Sequence, residues 1–276
     1  MRIAKDKTLN FLMSLCAAVT CLLLIGLIGY LLYRGIPGIN AKFLTTQTSY
    51  ISDSIGILPN ILNTLYLIIL VIIIVVPLGV GAAVYLTEYA SNKRISNAIG
   101  FAVETLTGIP SIIFGLVGML FFTQILGLRQ GILAGSLTLI IMVLPTVISN
   151  TKESLLAVPQ SYREGALALG SGKWHMVRTV VLPNAVDGIV TGCILAVGRV
   201  VGESAALLFT AGFGLKLLGF AKALQSSAAS LTVALYIYAS EEGKFDVAFA
   251  IAVILICITL IINLAASLVG KKVRKS

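Results

Sequence analysis

Long apolar runs alternate with short polar stretches along the whole chain. The first run, 11–33, spans about 35 Å as a helix at about 1.5 Å per residue, which is enough to cross a bilayer. The pattern predicts an all-α, polytopic membrane protein in which residues 1–276 form a single transmembrane domain. The six predicted spans are about 11–33, 57–86, 97–122, 132–148, 187–211 and 247–269.

Several polar or helix-breaking residues refine this prediction. Pro77 predicts a kink in the second span, and such breaks survive in lipid only where other helices or water satisfy the freed backbone groups. Asn60 and Asn63 predict that the start of the same span lies in the membrane interface. Residues 34–54 are predicted to form a loop outside the membrane, and residues 230–238 a short surface helix.

The composition excludes a soluble globular domain. Hydrophobic residues make up 58% of the chain and charged residues 11%, whereas a soluble domain is typically about 25% charged. The net charge of +9 is also typical of proteins that bind nucleic acid. The basic residues, however, cluster beside the apolar runs with few aromatic residues among them, so we interpret them as charges that set membrane topology and expect no nucleic-acid partner.

The distribution of Lys and Arg predicts the orientation of the chain. The side that holds both termini, the 89–96 loop and the 152–184 loop carries thirteen of these residues, against six on the opposite side. Because cytoplasmic loops are enriched in Lys and Arg, both termini and the 152–184 loop are predicted to be cytoplasmic.

The stretch 161–183 is polar and is predicted to contact a partner in water. Ser161 and Glu164 have the spacing of a capping box, which predicts that a helix begins at Ser161. Arg163 lies in the same predicted first turn. Gly165 and Ala166 have no side chain or a small one, and this allows a partner to approach the helix closely.

Gly170 is predicted to end this helix, since glycine is the usual residue just past a helix C-terminus. Residues 174–181 are then predicted to form a second short helix. Without further motifs, an ordinary connection between membrane helices is the alternative.

Charged residues within the predicted spans are candidates for function. Arg199 lies near the middle of the fifth span and Glu203 one turn later, and a charge at the bilayer centre costs about 2.5–3.5 kcal/mol on insertion scales. With Gly188 and Gly192 they fall on one helix face, which we predict lines a translocation path or a subunit contact. The alternative is an Arg199–Glu203 pair that neutralises itself. Glu104 is a third candidate, predicted near the interface or as a partner of Arg199.

Other chemistry finds no support in the sequence. The cysteines lie in apolar runs and have no paired spacing, and His175 is the only histidine, so we expect no catalytic residues and no metal site. A phosphate-binding loop is not formed at 165–173, because Ser171 stands where lysine is required. The chain is therefore predicted to bind no cofactor of its own.

The spacing of Glu164, Gly170, Leu182 and Pro183 resembles the EAA loop of ABC importer permeases. The chain departs from that motif in having Gly165 for an alanine and a valine for an isoleucine near its end. The resemblance implies that this loop docks into a separate ATP-hydrolysing subunit. The implied coupling residues are Ser161, Arg163, Glu164, Gly165, Ala166, Gly170, Leu182 and Pro183.

Residues 198–212 and 104–115 are similar to the fifth and third spans of PstA-type permeases of bacterial phosphate importers. The resemblance implies the MetI-like fold, a bacterial inner-membrane location, and a transport role for Arg199 and Glu203. Glu104 is kept with them as a candidate path residue. The resemblance also implies three kinds of partner besides membrane lipid. These are a homologous PstC-like permease, two PstB-like subunits that bind ATP and Mg²⁺, and an external PstS-like phosphate-binding protein.

Three alternatives remain open at the level of the sequence. The same fold carries other oxyanions such as sulfate or molybdate. An ion-coupled secondary transporter would also place charges in the membrane. A membrane-embedded enzyme is disfavoured, because the chain has a single histidine and no cluster of acidic residues and histidine.

Overall fold

The computed structural model describes residues 2–49 and 54–275, so residues 50–53 of the predicted 34–54 loop lie outside the described part. That loop contains a 3₁₀ turn at Ile36–Gly38, the short helix α2 and a small antiparallel hairpin. The hairpin strands are β1 (Gln47–Ser49) and β2 (Ser54–Ile57).

Most of the rest of the described chain is helical. The helices are α1 (Arg2–Gly35), α2 (Ala41–Thr45), α3 (Leu58–Val84), α4 (Lys93–Thr107), α5 (Ser111–Gly118), α6 (Ile132–Leu156), α7 (Gln160–Ala168), α8 (Lys173–Met176), α9 (Leu182–Gly202), α10 (Ala205–Thr210), α11 (Phe220–Ala223), α12 (Leu231–Tyr236) and α13 (Phe245–Lys275). π-Helical turns extend α3, α5, α8 and α12 at Tyr85–Tyr89, Met119–Ile125, Val177–Val181 and Ile237–Glu241.

Five helical segments of the described residues are long and apolar enough to cross a membrane, and a sixth crossing is obtained if a bent pair counts as one. The bent pair falls on the predicted third span, 97–122. There α4 and the α5 segment meet at 100°. The break has a local cause, because Pro110 adopts an extended conformation (φ −58°, ψ 138°) at the N-cap of α5 and has no N–H to continue α4.

The predicted fifth span, 187–211, has different limits in the structure. A continuous helical segment runs from Lys173 to Gly202, so the predicted second loop helix at 174–181 is the start of the membrane helix and not a separate element. A π-turn precedes Pro183, and a register shift of this kind is a usual accommodation of a proline inside a helix. The segment ends before Glu203, and α10 is a separate helix.

The core forms where α3, α6 and α9 pack together. Val71, Val143 and Ala196 are fully or almost fully buried in it. Pro77 lies inside α3, which continues to Val84.

The start of α3, which was predicted to lie in the membrane interface, is buried within the protein. Asn60 and Asn63 are 0% and 2% exposed, and both side-chain amides donate to the carbonyl of Ala229, at 3.0 and 3.1 Å. The segment that leads into α12 therefore covers this end of α3. Hydrogen bonds to the carbonyl offset part of the cost of burying the two amides.

The predicted short helix at 230–238 is present as α12, but it is buried instead of lying at the surface. Ser230 caps it by accepting from the N–H of Val233 at 3.2 Å. Leu231 and Tyr238 are 0% and 1% exposed and belong to a second core cluster between α12 and α13.

Helix α1 projects its apolar side chains outward and packs mainly against α13. At this contact, Arg34 forms an ion pair with Asp246 at 3.3 Å and Tyr30 stacks edge-on against Phe249. Only lipid or a partner subunit provides a suitable environment for so large an apolar surface.

Candidate functional site

The helix of the predicted coupling loop begins differently from the sequence prediction. Pro159 is the N-cap of α7, with φ −56° and ψ 137°, and the helix starts at Gln160. Ser161 is already inside the first turn, so the predicted capping box is wrong. The reason is that Pro159 fixes its own φ and supplies the carbonyl that accepts from the N–H of Tyr162 at 3.2 Å.

The predicted end of this helix at Gly170 is confirmed. Gly170 has φ +81°, a left-handed conformation that favours glycine. The N–H of Ser171 donates to the carbonyl of Ala166 at 3.1 Å, and that of Gly170 donates to Leu167 at 3.0 Å. These two bonds make a Schellman motif, which turns the chain sharply from α7 into α8.

Arg163 points into the protein, away from any docking partner. Its side chain is 10% exposed and forms an ion pair with Glu88, with the Nη2 to Oε1 distance at 2.9 Å. Nη1 and Nη2 also donate to the carbonyls of Val158 and Leu155, each at 2.7 Å. The guanidinium therefore fixes α7 in place, a role that no local sequence pattern predicts.

The opposite face of the loop is exposed and partly apolar. Ser161, Glu164 and Gly165 are exposed, and Gly165 has open space where a side chain would be. Leu169 is 91% exposed. Its neighbours in the loop with large exposed side chains are Tyr162, Leu167 and Trp174.

The remaining predicted coupling residues lie behind this face. Ala166 and Leu182 are partly buried against a small core cluster that includes Leu155 and Met176. Pro183 is exposed in the first turn of α9. These residues support the loop, whereas Glu164, Gly165 and Leu169 present its outer surface.

Arg199 is half-buried in the last turn of α9. Its Nη1 donates to Oγ1 of Thr146 in α6 at 3.4 Å. Among the residues that the structure describes, no carboxylate lies within ion-pair distance of it. A cation near a helix C-terminus is stabilised by the helix dipole, which reduces the cost of leaving it unpaired.

The Arg199–Glu203 pair considered from the sequence is wrong. Helix α9 ends at Gly202, and Glu203 turns away with an extended backbone. Its carboxylate instead accepts from the N–H of Ala206 at 3.0 Å, and its carbonyl accepts from the hydroxyl of Thr232 at 2.7 Å. Glu203 thus holds together the break between α9 and α10.

Glu104 lies on the exposed side of α4, and no ion pair to it is found within residues 2–49 and 54–275. The predicted partnership with Arg199 is therefore wrong. The three candidate path residues do not form one cluster: one is exposed, one caps a chain break, and one is an unpaired cation.

The predicted small-residue face of α9 contacts α6. A Cβ at Gly188 would overlap Ser154, and one at Gly192 would lie 2.9 Å from the Cβ of Asn150. Both glycines are thus required by the close approach of the two helices. The same face opens further along, where Leu195 is 52% exposed.

Two contacts of the candidate residues were not predicted from the sequence. Glu88 lies 75 residues from Arg163, and Thr146 lies 53 residues from Arg199, so no local pattern links either pair. The only signal for Glu88 is its position as a carboxylate between an apolar run and a basic loop. Within the described residues no group of three acidic, histidine or cysteine side chains has the geometry of a metal site.

Comparison with known proteins agrees with this architecture. The chain is 36% identical over 283 aligned residues to a probable ABC transporter permease protein, YqgI, of Bacillus subtilis (strain 168), with 98% of this chain and 96% of that protein covered. It is 35% identical over 181 residues to the phosphate transport system permease protein PstA of Xylella fastidiosa (strain Temecula1), with 66% of this chain and 63% of that protein covered.

The fold matches a solved transporter. A chain of the MetNI methionine ABC transporter, in an inward-facing conformation, superposes with a TM-score of 0.64 at 20% identity, covering 78% of this chain and 95% of that one. The predicted all-α, MetI-like membrane fold is thereby confirmed.

A family model described as the binding-protein-dependent transport system inner membrane component matches residues 75–275, most of the chain. The match includes the loop with α7 and α8 as well as Arg199. This chain therefore belongs to that family, the permease components of ABC importers.

Proposed function

We propose that this chain is the PstA-type permease of a phosphate importer and forms half of the path through a bacterial inner membrane. The observation that carries the proposal is Arg199, a half-buried guanidinium in a membrane helix with no carboxylate partner among the described residues. Arg is suited to oxyanions because its planar fork binds two oxygens at once, and rings of Arg or Lys line anion and phosphate pores. The phosphate permease relative supports the same substrate class.

The exposed face of α7 and α8 is proposed to dock into an ATP-binding subunit. Glu164, Gly165 and Leu169 offer a charge, a low surface and an apolar anchor on one exposed loop. This role places the loop and both chain termini in the cytoplasm. ATP and Mg²⁺ would be bound by two PstB-like subunits, while a PstC-like permease completes the path and a PstS-like protein delivers phosphate from outside.

We propose different roles for the three path candidates. Arg199 is proposed to offset the charge of phosphate during passage, with Thr146 orienting its guanidinium. Glu203 is proposed to hold the chain break beside the path, because its carboxylate is already bonded to a backbone N–H. Glu104, exposed on α4, is proposed to face the partner permease or the membrane interface.

The test is phosphate uptake by the complete complex in proteoliposomes that contain ATP. Arg199→Gln removes the charge with little change in size, and we expect uptake to fall by at least about tenfold, since hydrogen bonds between charged groups contribute about 1.5–3 kcal/mol. Arg199→Lys keeps the charge without the fork and is expected to retain part of the uptake. Normal uptake by the Arg199→Gln complex would contradict the role given to Arg199.

A further inference from the structure

The ion pair between Arg163 and Glu88 joins three separate elements. Arg163 belongs to α7, Glu88 lies in the π-helical turn that extends α3, and the carbonyls of Leu155 and Val158 belong to the end of α6 and the residues after it. One guanidinium thus makes four contacts, two to the carboxylate and two to carbonyls. All of its distances lie between 2.7 and 3.0 Å.

The pair is shielded from water. The Arg163 and Glu88 side chains are 10% and 6% exposed, so the charges interact in a low local dielectric. A guanidinium that makes four hydrogen-bonding contacts in a fixed geometry restricts both bending and sliding of α7. Ion pairs exposed to water, in contrast, contribute little to stability.

The same turn of α3 also contacts the second helix of the loop. Lys173, the first residue of α8, places its ammonium 5.0 Å from the ring centre of Tyr89. The Trp174 side chain lines an apolar groove together with Tyr85 and Tyr89. Both loop helices therefore engage the Tyr85–Tyr89 turn, one through a buried ion pair and one through aromatic contacts.

We infer that Arg163 and Glu88 are positioning residues that make α7, the end of α3 and the end of α6 move as one unit. A displacement of α7 by the ATP-binding subunit would then reach α3 and α6 directly, whereas contacts through the π-turn before α9 would transmit it less rigidly. This inference rests on the proposed docking role of the loop and adds the connection from the loop to the membrane helices.

The test is a distance measurement in the assembled complex with spin labels at Gln160→Cys in α7 and Leu78→Cys in α3. Both positions are exposed, and the native cysteines are replaced by alanine. The unsubstituted pair is expected to give the same narrow 160–78 distance with and without ATP and vanadate. Arg163→Met is expected to broaden that distribution and make it depend on nucleotide.

Glu88→Gln is the second test variant, because this isosteric change disturbs folding less than Arg163→Met does. Glu153→Gln is its matched control, since Glu153 is exposed in the last turns of α6. Unchanged distances in both Arg163→Met and Glu88→Gln would overturn the inference. So would a 160–78 distance that already changes with nucleotide in the unsubstituted pair.

A second readout is the number of ATP molecules hydrolysed per phosphate transported. For Glu88→Gln we expect this ratio to rise about tenfold, within the range of coupling effects between distant sites. An unchanged ratio would contradict the inference. If the unsubstituted complex transports no phosphate, the proposed substrate fails, and the distance measurement still decides the role of the ion pair.

Discussion

Replacing Glu88 by glutamine tests how much free energy the Arg163–Glu88 ion pair contributes to holding α7 in place. The substitution leaves the Arg163 guanidinium 10% exposed and without its carboxylate, but its bonds to the carbonyls of Leu155 and Val158 remain. Removing one partner of a buried ion pair costs about 3–5 kcal/mol. Because the two carbonyls and the amide oxygen of the introduced side chain remain as acceptors, we expect the lower end, about 3 kcal/mol, which corresponds to about a 100-fold change in an equilibrium constant.

Hydrogen exchange measures this change where it occurs. The amides of α7 become exchangeable when the helix detaches, so their protection in Glu88→Gln is expected to fall about 100-fold, while the middle of α6 keeps its protection. Glu153→Gln changes an exposed carboxylate and is expected to stay within about 0.5 kcal/mol of the unsubstituted chain. Protection of α7 that stays within about threefold in Glu88→Gln would refute the reasoning.

Substitutions at Gly192, Gly170 and Glu203 test other parts of the structure. Gly192→Val forces a side chain against Asn150 and is expected to destabilise the protein by about 1–3 kcal/mol in denaturant titrations, whereas Gly26→Val, in open space, is the control. Gly170→Ala places a side chain at φ +81° and is expected to cost about 1–2 kcal/mol, read as faster hydrogen exchange at the end of α7. Glu203→Gln keeps an acceptor for the N–H of Ala206 and is expected to support normal uptake and stability, whereas Glu203→Ala is expected to lose about 0.5–2 kcal/mol of stability. Loss of uptake in a stable Glu203→Gln complex would instead show that its charge matters for transport.

The helices were predictable where the sequence contains an apolar run long enough to cross a membrane. α3, α6 and α13 each contain such a run, because only a helix satisfies every backbone group within lipid. The bend at Pro110 was missed because apolar residues lie on both sides of the more polar stretch 104–111, and together they are long enough for one span. Hydropathy reports the length and composition of a span. The direction of α5 after the bend depends on its packing against α6 and α10.

Within the loop, prediction succeeded at Gly170 and failed at Ser161 for related reasons. Glycine adopts a positive φ at little steric cost, unlike other residues. A glycine at the end of a helical pattern therefore predicts the helix end. Ser161 has the spacing of a capping box, but the helix begins two residues after Val158, with Pro159 as its N-cap. The fixed φ of proline therefore set the helix start.

Long-range contacts explain the remaining misses. Arg163 was predicted to be a coupling residue because it lies in a polar loop, where charged side chains usually point to water. Only the fold brings Glu88 close enough to bury it. Likewise, Glu203 was placed one helical turn beyond Arg199, and the break that reorients it depends on Thr232, 29 residues away.

The central claim is that this permease carries phosphate. Uptake of radiolabelled phosphate into proteoliposomes with the complete importer, ATP inside and the binding protein outside, tests it most directly, with unlabelled arsenate, sulfate and molybdate as competitors. We predict ATP-dependent uptake that arsenate suppresses and that sulfate and molybdate leave unchanged. Absence of phosphate uptake, or suppression by sulfate or molybdate, would contradict the assignment of phosphate as the substrate.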